Sequence, residues 1–133
     1  MCMVIRFIKR FLKVSYIVFI ILALFFSKAS AVPTFVDSFD ISNEETDANG
    51  LAFNTSGTKM FVTGHNDDDV NEYTLTTGFD VSTASFVDSF SVSSQDTQPA
   101  AVAFNNDGTK MFVLGVTGVD VNEYTLTTGF DVS

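Results

Sequence analysis

The chain has 133 residues and a formal net charge of −9, but its charges are unevenly placed. Five of the seven basic residues lie within the first 28 positions, whereas all sixteen acidic residues follow from Asp37 onward. The part after residue 31 therefore carries two lysines against sixteen carboxylates. Such a surface argues against nucleic acid as a partner, because it offers almost no groups that neutralise phosphates.

The first 31 residues have the three parts of a secretory signal peptide. A basic stretch, Arg6 to Lys13, precedes an uncharged apolar run from Val14 to Phe26, and Ala29-Ser30-Ala31 forms a cleavage site. The apolar run has thirteen residues, fewer than the ~20 that a membrane-spanning helix needs. We therefore expect a cleaved leader, with an uncleaved membrane anchor as the alternative. The remainder would be secreted, periplasmic or at the cell surface, with membrane contact only through the leader. It would lack disulfides, since the single cysteine, Cys2, lies in the leader.

An internal repeat of 51 residues fills the rest of the chain. Residues 32–82 (repeat 1) and 83–133 (repeat 2) are identical at 31 of 51 positions, with no insertion between them. The shared segments include FVDSF, GTKMFV and DVNEYTLTTGFDVS. Such self-similarity indicates one duplicated structural unit.

Each repeat predicts four short strands and no helix. Gly57 and its counterpart Gly108 lie where a tight turn needs a positive backbone dihedral angle. Adjacent apolar residues in strands A and B predict that both faces of the sheet are covered. We expect Phe53, Phe61, Phe104 and Phe112 to be buried. The predicted strands A to D are Leu51–Asn54, Lys59–Thr63, Val70–Leu75 and Phe86–Val92, and the D pattern occurs a first time at Phe35–Ile41.

The segment FNNDGTKMFV, Phe104 to Val113, followed by VNEYTL, resembles the blades of bacterial YVTN-type and lactonase-like β-propellers. Repeat 1 departs from this pattern, because its turn reads Asn54-Thr55-Ser56-Gly57 without the aspartate. The resemblance implies an all-β fold made of β-propeller blades, each a four-stranded antiparallel meander. Propellers close with four to eight blades, so two repeats leave the ring incomplete. The chain is then a fragment with further blades in cis, a subunit that meets identical subunits in trans, or an open two-blade module.

The resemblance favours an exported binding or interaction scaffold whose ligand, a protein, small molecule or glycan, stays open. One alternative is part of a lactonase-like propeller hydrolase whose catalytic residues lie outside this chain. The other is a glycan-binding oligomer built from two-blade subunits. No residue of the chain is predicted to be catalytic, and the only histidine, His65, is expected to be exposed.

One end of the predicted meander is the candidate binding site. Of the 20 positions at which the repeats differ, ten lie in residues 40–51 and five in residues 63–68. These positions include the D-to-A and B-to-C connections, which emerge at the same end of a meander. Variable loops on a constant frame favour a binding surface, although drift after duplication is the alternative. The candidate ligand-binding residues of this rim are Glu44, Glu45, Asp47, Asp67 and Asp68.

The same rim contains a candidate calcium site. Asn66, Asp67 and Asp69 offer the oxygen ligands that a hard cation prefers. The matching loop of repeat 2, from Val116 to Asp120, keeps a single carboxylate. A solvated acidic turn that binds nothing is the alternative. No other cofactor is predicted.

Overall fold

The computed structural model describes residues 31–133. The predicted leader, apart from Ala31, lies outside the described residues. Residues Val36–Ser133 form one compact unit. Within the described residues, no helix is long and apolar enough to span a membrane.

The described part of the chain is all-β, as predicted, and its seven strands form two antiparallel sheets. Sheet 1 has four strands in the order β1-β2-β3-β4, and sheet 2 has three in the order β5-β6-β7. One 3₁₀ turn, Val81–Thr83, precedes β4. No closed ring forms among the described strands. The strands are β1 Ala48–Phe53, β2 Lys59–Gly64, β3 Asp69–Leu75, β4 Ala84–Ser91, β5 Pro99–Phe104, β6 Lys110–Gly115 and β7 Val121–Thr125.

Strands A to D of the prediction correspond to β1 to β4, with ends shifted by at most three residues. The first D-type segment is the exception, because Phe35–Ile41 forms no strand. Its counterpart β4 is held by pairing with β3, in which Asn71 faces Ser89. Residues Phe35–Ile41 pair with none of the described strands, so the prediction of a strand there is wrong for this structure.

The turns between β1 and β2 and between β5 and β6 depend on glycine for two reasons. Gly57 and Gly108 have φ values of 71° and 72°, a region that L-residues with a Cβ avoid. In addition, a Cβ on Gly57 would lie 2.3 Å from Cδ2 of Phe79, whose amide donates to the Gly57 carbonyl at 3.0 Å. The Phe79 ring therefore packs directly on the backbone of Gly57, in the space that a side chain would occupy.

The two sheets share one apolar core. Phe61 and Val70 of sheet 1 are fully buried against sheet 2, and the Phe61 and Phe104 rings lie 4.3 Å apart. The backbones approach closely, because a Cβ on Gly50 would lie 2.8 Å from Ala101 Cα. The other buried members of this core are Val92, Val102, Met111, Val113, Leu126 and Val132.

A second apolar cluster lies on the opposite face of sheet 1. Its buried members are Met60, Val62, Tyr73 and Leu75. Phe39 packs against it, with its ring edge-on to Tyr73 at 5.7 Å. Sheet 1 is therefore covered on both faces at β2, as predicted.

Sheet 2 differs, because Leu114 of β6 is exposed. Of the four phenylalanines expected to be buried, Phe61 is fully buried, whereas Phe53, Phe104 and Phe112 are half-buried.

An ion pair within sheet 1 also binds the chain segment that follows β7. Lys59 Nζ donates to Glu72 Oε1 at 2.5 Å and to the Phe130 carbonyl at 2.6 Å. The second oxygen of Glu72 accepts from the Val132 amide at 3.0 Å. Both acidic oxygens are thus satisfied, as a buried carboxylate requires.

Candidate binding rim

The connections predicted to meet at one end do meet in both repeats. We call residues 42–47 and 65–68, with their counterparts 93–98 and 116–119, the rim. In repeat 1 the His65 amide donates to the Asp47 carbonyl at 3.1 Å. In repeat 2 the Val116 amide donates to the Gln98 carbonyl at 3.1 Å. The rim is therefore held together by backbone hydrogen bonds within each repeat.

Two rim carboxylates are buried, and they hold the loops together. Glu45 Oε1 accepts from the Asp47 amide at 2.6 Å. Its counterpart Asp96 accepts from the Gln98 amide at 2.7 Å and from the Gly118 amide at 2.6 Å. Backbone donors, that of Gly118 first, hold the pKa of Asp96 below its ordinary value of 3.8. Glu45 and Asp96 therefore have a structural role, because their carboxylates accept hydrogen bonds from the backbone of the rim loops.

Glycines at the ends of β2 and β6 make room for these carboxylates. A Cβ on Gly64 would lie 2.5 Å from the carboxyl carbon of Glu45, and one on Gly115 would lie 2.3 Å from Asp96 Oδ2. Sequence reasoning missed this arrangement. The available signal was that both repeats keep an acidic residue and a glycine at these positions.

Glu44 lies against a tyrosine. The Tyr73 hydroxyl donates to Glu44 Oε2 at 3.4 Å, and burial, followed by the nearby Glu44 charge, raises the pKa of Tyr73. The counterpart Tyr124 donates to Gln95 at 3.2 Å, and burial raises its pKa as well. Glu44 is half-buried and linked to the sheet.

The remaining predicted rim residues are more accessible. Asp47 and Asp67 are exposed, whereas Asp68 is partly buried with a φ of 58°. His65, which was expected to be exposed, is partly buried, and its Nδ1 lies 3.7 Å from Asp47 Oδ2.

The residues of the candidate calcium site lie in the turn before β3 and at the start of β3. Asn66 is exposed beside Asp67, and the Asp69 carbonyl accepts from the Thr63 hydroxyl at 2.7 Å at the start of β3. Among the described residues, no group of three or more His, Cys, Asp or Glu side chains could hold a metal ion. Calcium binding stays a prediction.

The rim of repeat 1 has buried polar atoms that find no hydrogen-bond partner in the described part of the chain. They are Glu45 Oε2, His65 Nε2 and Asp68 Oδ1. In repeat 2 both oxygens of Asp96 accept hydrogen bonds, and valines replace the histidine and the second aspartate. Unsatisfied polar atoms are therefore a property of one rim and are absent from its duplicate.

Comparisons with known proteins add no relative: no family model, curated protein or solved structure matches the chain.

Proposed function

We propose that the chain is an exported β-propeller-type repeat protein that acts as a binding or interaction scaffold. Antiparallel meanders in chain order, packed face to face, support the propeller type. The ligand would engage the rim of repeat 1, where loops that differ between the repeats stand on a shared frame.

The observation that carries the proposal is the set of unpartnered rim atoms. A buried polar group without a partner costs free energy, so such groups call for an explanation. Two of the three atoms are oxygens of acidic side chains, Glu45 and Asp68, and the exposed Asp47 and Asp67 add further negative charge to the same rim. The rim therefore suits a ligand that brings positive charge or hydrogen-bond donors. A divalent cation and a lysine-rich protein segment share this chemistry.

Thermal unfolding with two probes tests the proposal. A ligand that binds only the folded state raises Tm as its concentration increases. We expect calcium chloride or a tetralysine peptide to raise Tm, and we expect the rise to disappear in the Asp67→Asn/Asp68→Asn variant. A rise with calcium alone identifies a cation site, and a rise with tetralysine alone identifies a site for a basic protein segment.

Asp88→Asn is the matched control, because Asp88 is an exposed carboxylate on β4, outside the rim. The control should keep the full rise in Tm. A chain whose Tm responds to neither probe, or responds equally in all three proteins, would contradict the proposed role of the rim.

A further inference from the structure

The contact between the two repeats uses two different surfaces. Sheet 1 presents what we call the knob face, which carries Phe61 and Val70. Sheet 2 receives it on the groove face, which is formed by Val102, Met111 and Val113 among others. Because the repeats share one sequence pattern and one strand pairing, each has both faces.

Among the described residues, the knob face of repeat 2 has no partner, and the groove face of repeat 1 is covered only in part, by Phe39 and Ile41. The knob face of repeat 2 comprises Phe112, Leu114 and Val121; Leu114 faces Val121 in the β6–β7 register, so they share one side. Val121 is 62% exposed, whereas its counterpart Val70 is 0% exposed. On the groove face of repeat 1, the corresponding exposed residue is Leu51.

The groove face of repeat 1 is open at Leu51, although Met60 and Val62 on the same face are buried. Leu51 is 60% exposed, whereas its counterpart Val102 is 6% exposed. An open apolar cavity of about 440 Å³ lies here, lined by Leu51, Met60, Val62, Val81 and Phe39 among others. The counterparts of Leu51, Met60, Val62 and Val81 belong to the core that Phe61 and Val70 fill. The cavity therefore has the lining that receives a knob face.

The Lys59–Glu72 pair, which binds the following repeat, has a counterpart in repeat 2 that binds no other repeat in the described part of the chain. Lys110 and Glu123 pair with each other, as Lys59 and Glu72 do, but their side chains are 47% and 50% exposed. Lys59 and Glu72 bind the Phe130 carbonyl and the Val132 amide of the following repeat. In repeat 1 the backbone groups at those positions belong to Phe79 and Val81.

Unpaired backbone segments indicate, independently of the apolar faces, that the two repeats have unused contact sites. Strand β4 pairs with β3 in sheet 1, and its Phe90 reaches Tyr124 of sheet 2, with the rings edge-on at 5.5 Å. Phe39 meets Tyr73 in the same geometry at 5.7 Å, yet residues 36–41 pair with no described strand. The edge of β7 that faces away from β6 is equally unpaired.

We propose that the chain associates head to tail with a second copy of itself. The groove face of repeat 1 in one copy receives the knob face of repeat 2 in the other, and residues 35–41 pair with β7 in the register of β4 on β3. The counterpart of the Asn71–Ser89 pair then places Ser38 opposite Asn122. Association covers exposed apolar surface and the free edge of β7, both of which favour contact with another chain.

Such an interface is heterologous, because each copy contributes a different surface. It involves none of the rim residues, so this inference does not rest on the proposed function. The difference between the two contributing surfaces also makes the interface testable by complementation.

The first experiment measures mass by light scattering on the full chain, expressed with its leader and purified after export. We expect association at about 100 µM, where contacts of micromolar affinity are saturated. Val121→Asp damages only the knob face, and Leu51→Asp damages only the groove face. Each variant alone should bind at least about 100-fold more weakly, because the interface would bury an unpaired carboxylate.

An equimolar mixture of the two variants keeps one intact knob face and one intact groove face. It should therefore form a 1:1 dimer and no larger species. Val119→Asp is the control: it adds the same charge two residues away, at the position that aspartate occupies in repeat 1, and it should associate like the parent chain. A parent chain that stays monomeric at about 100 µM, variants that associate normally, or a mixture that forms no dimer would overturn the proposal.

A second measurement tests the register. In a Cys2→Ser background, chains carrying Ser38→Cys are mixed with chains carrying Asn122→Cys and gently oxidised. Directly opposed residues of antiparallel strands have Cβ atoms about 4.5–5.5 Å apart, so we expect a disulfide-linked heterodimer. The matched pair Ser38→Cys with Glu123→Cys should link far less, because Glu123 points to the other side of the sheet. Equal linking by both pairs, or by neither, would refute the proposed pairing.

Discussion

Replacing Lys59 or Lys110 with methionine compares one ion pair in two environments. Both lysines begin the second strand of their repeat and pair with a glutamate on the third strand. Methionine keeps most of the apolar stem of the side chain, so the substitution removes mainly the charge. The duplication thus supplies a matched control within the same molecule.

The expected magnitudes differ because the glutamates differ in burial. The side chain of Glu72 is 2% exposed, whereas that of Glu123 is 50% exposed. Removing one partner of a buried pair costs about 3–5 kcal/mol. Lys59 retains 29% exposure, which lets water reach the site, so we expect about 2–3 kcal/mol for Lys59→Met. An exposed pair contributes about 0–1 kcal/mol, which is the loss we expect for Lys110→Met.

Urea unfolding followed by circular dichroism measures both free energies. The variants are made in the Leu51→Asp background, which is designed to prevent association, so that Lys110 stays exposed. The midpoint should fall clearly for Lys59→Met and hardly at all for Lys110→Met, with an unchanged slope. Equal losses of unfolding free energy in the two variants would contradict the expectation that the buried Lys59–Glu72 pair stabilises the fold more than the exposed Lys110–Glu123 pair does.

Three further outcomes are expected. Phe61→Ala should destabilise the chain by about 3–5 kcal/mol in urea unfolding, because its ring is fully buried, and Phe112→Ala, the half-buried control, should cost less. Gly57→Ala should cost about 2 kcal/mol or more by the same assay, since it strains a positive φ and displaces the ring of Phe79; the exposed Ser56→Ala is the control. The pKa of Asp96 is lowered in the folded state, so its contribution to stability is present above about pH 3.8 and is lost as the pH falls through the folded pKa. Asp96→Asn should therefore weaken the fold at neutral pH and reduce its further loss in acid, measured by circular dichroism; an unchanged acid profile would contradict this.

Local signals in the sequence were enough to predict the strands and turns. Short apolar runs and the turn residues that bound them depend on near neighbours, so they placed β1 to β4 to within a few residues. The same reasoning identified Gly57, because a tight turn needs its positive φ. It did not identify the contact between Gly57 and Phe79, since that contact joins residues 22 positions apart.

The rim was predictable as a location, but the roles of its residues were not. Meander geometry alone brings the two loops together, whereas the burial of Glu45 depends on the space left beside Gly64. Similarly, no pattern in the sequence indicated that Val119 takes a φ of 53°. The segment Phe35–Ile41 shows a further limit, because strand formation requires a partner edge that the sequence of one strand does not specify.

The two repeats also show which exposed residues need a further explanation. Fifteen of the twenty differences fall in residues 40–51 and 63–68 or their counterparts, whereas Phe112, Val121, Lys110 and Glu123 match their counterparts exactly in type. The knob face of repeat 2 therefore keeps the residues of a buried interface although nothing described covers it. Two positions on this side of the sheet differ, because Gly50 and Thr63 of repeat 1 correspond to Ala101 and Leu114, and both residues of repeat 2 are more apolar. A solvated surface disfavours such residues, because exposed apolar side chains favour association over solubility. The proposed contact with a second copy accounts for both the identical residues and the more apolar ones.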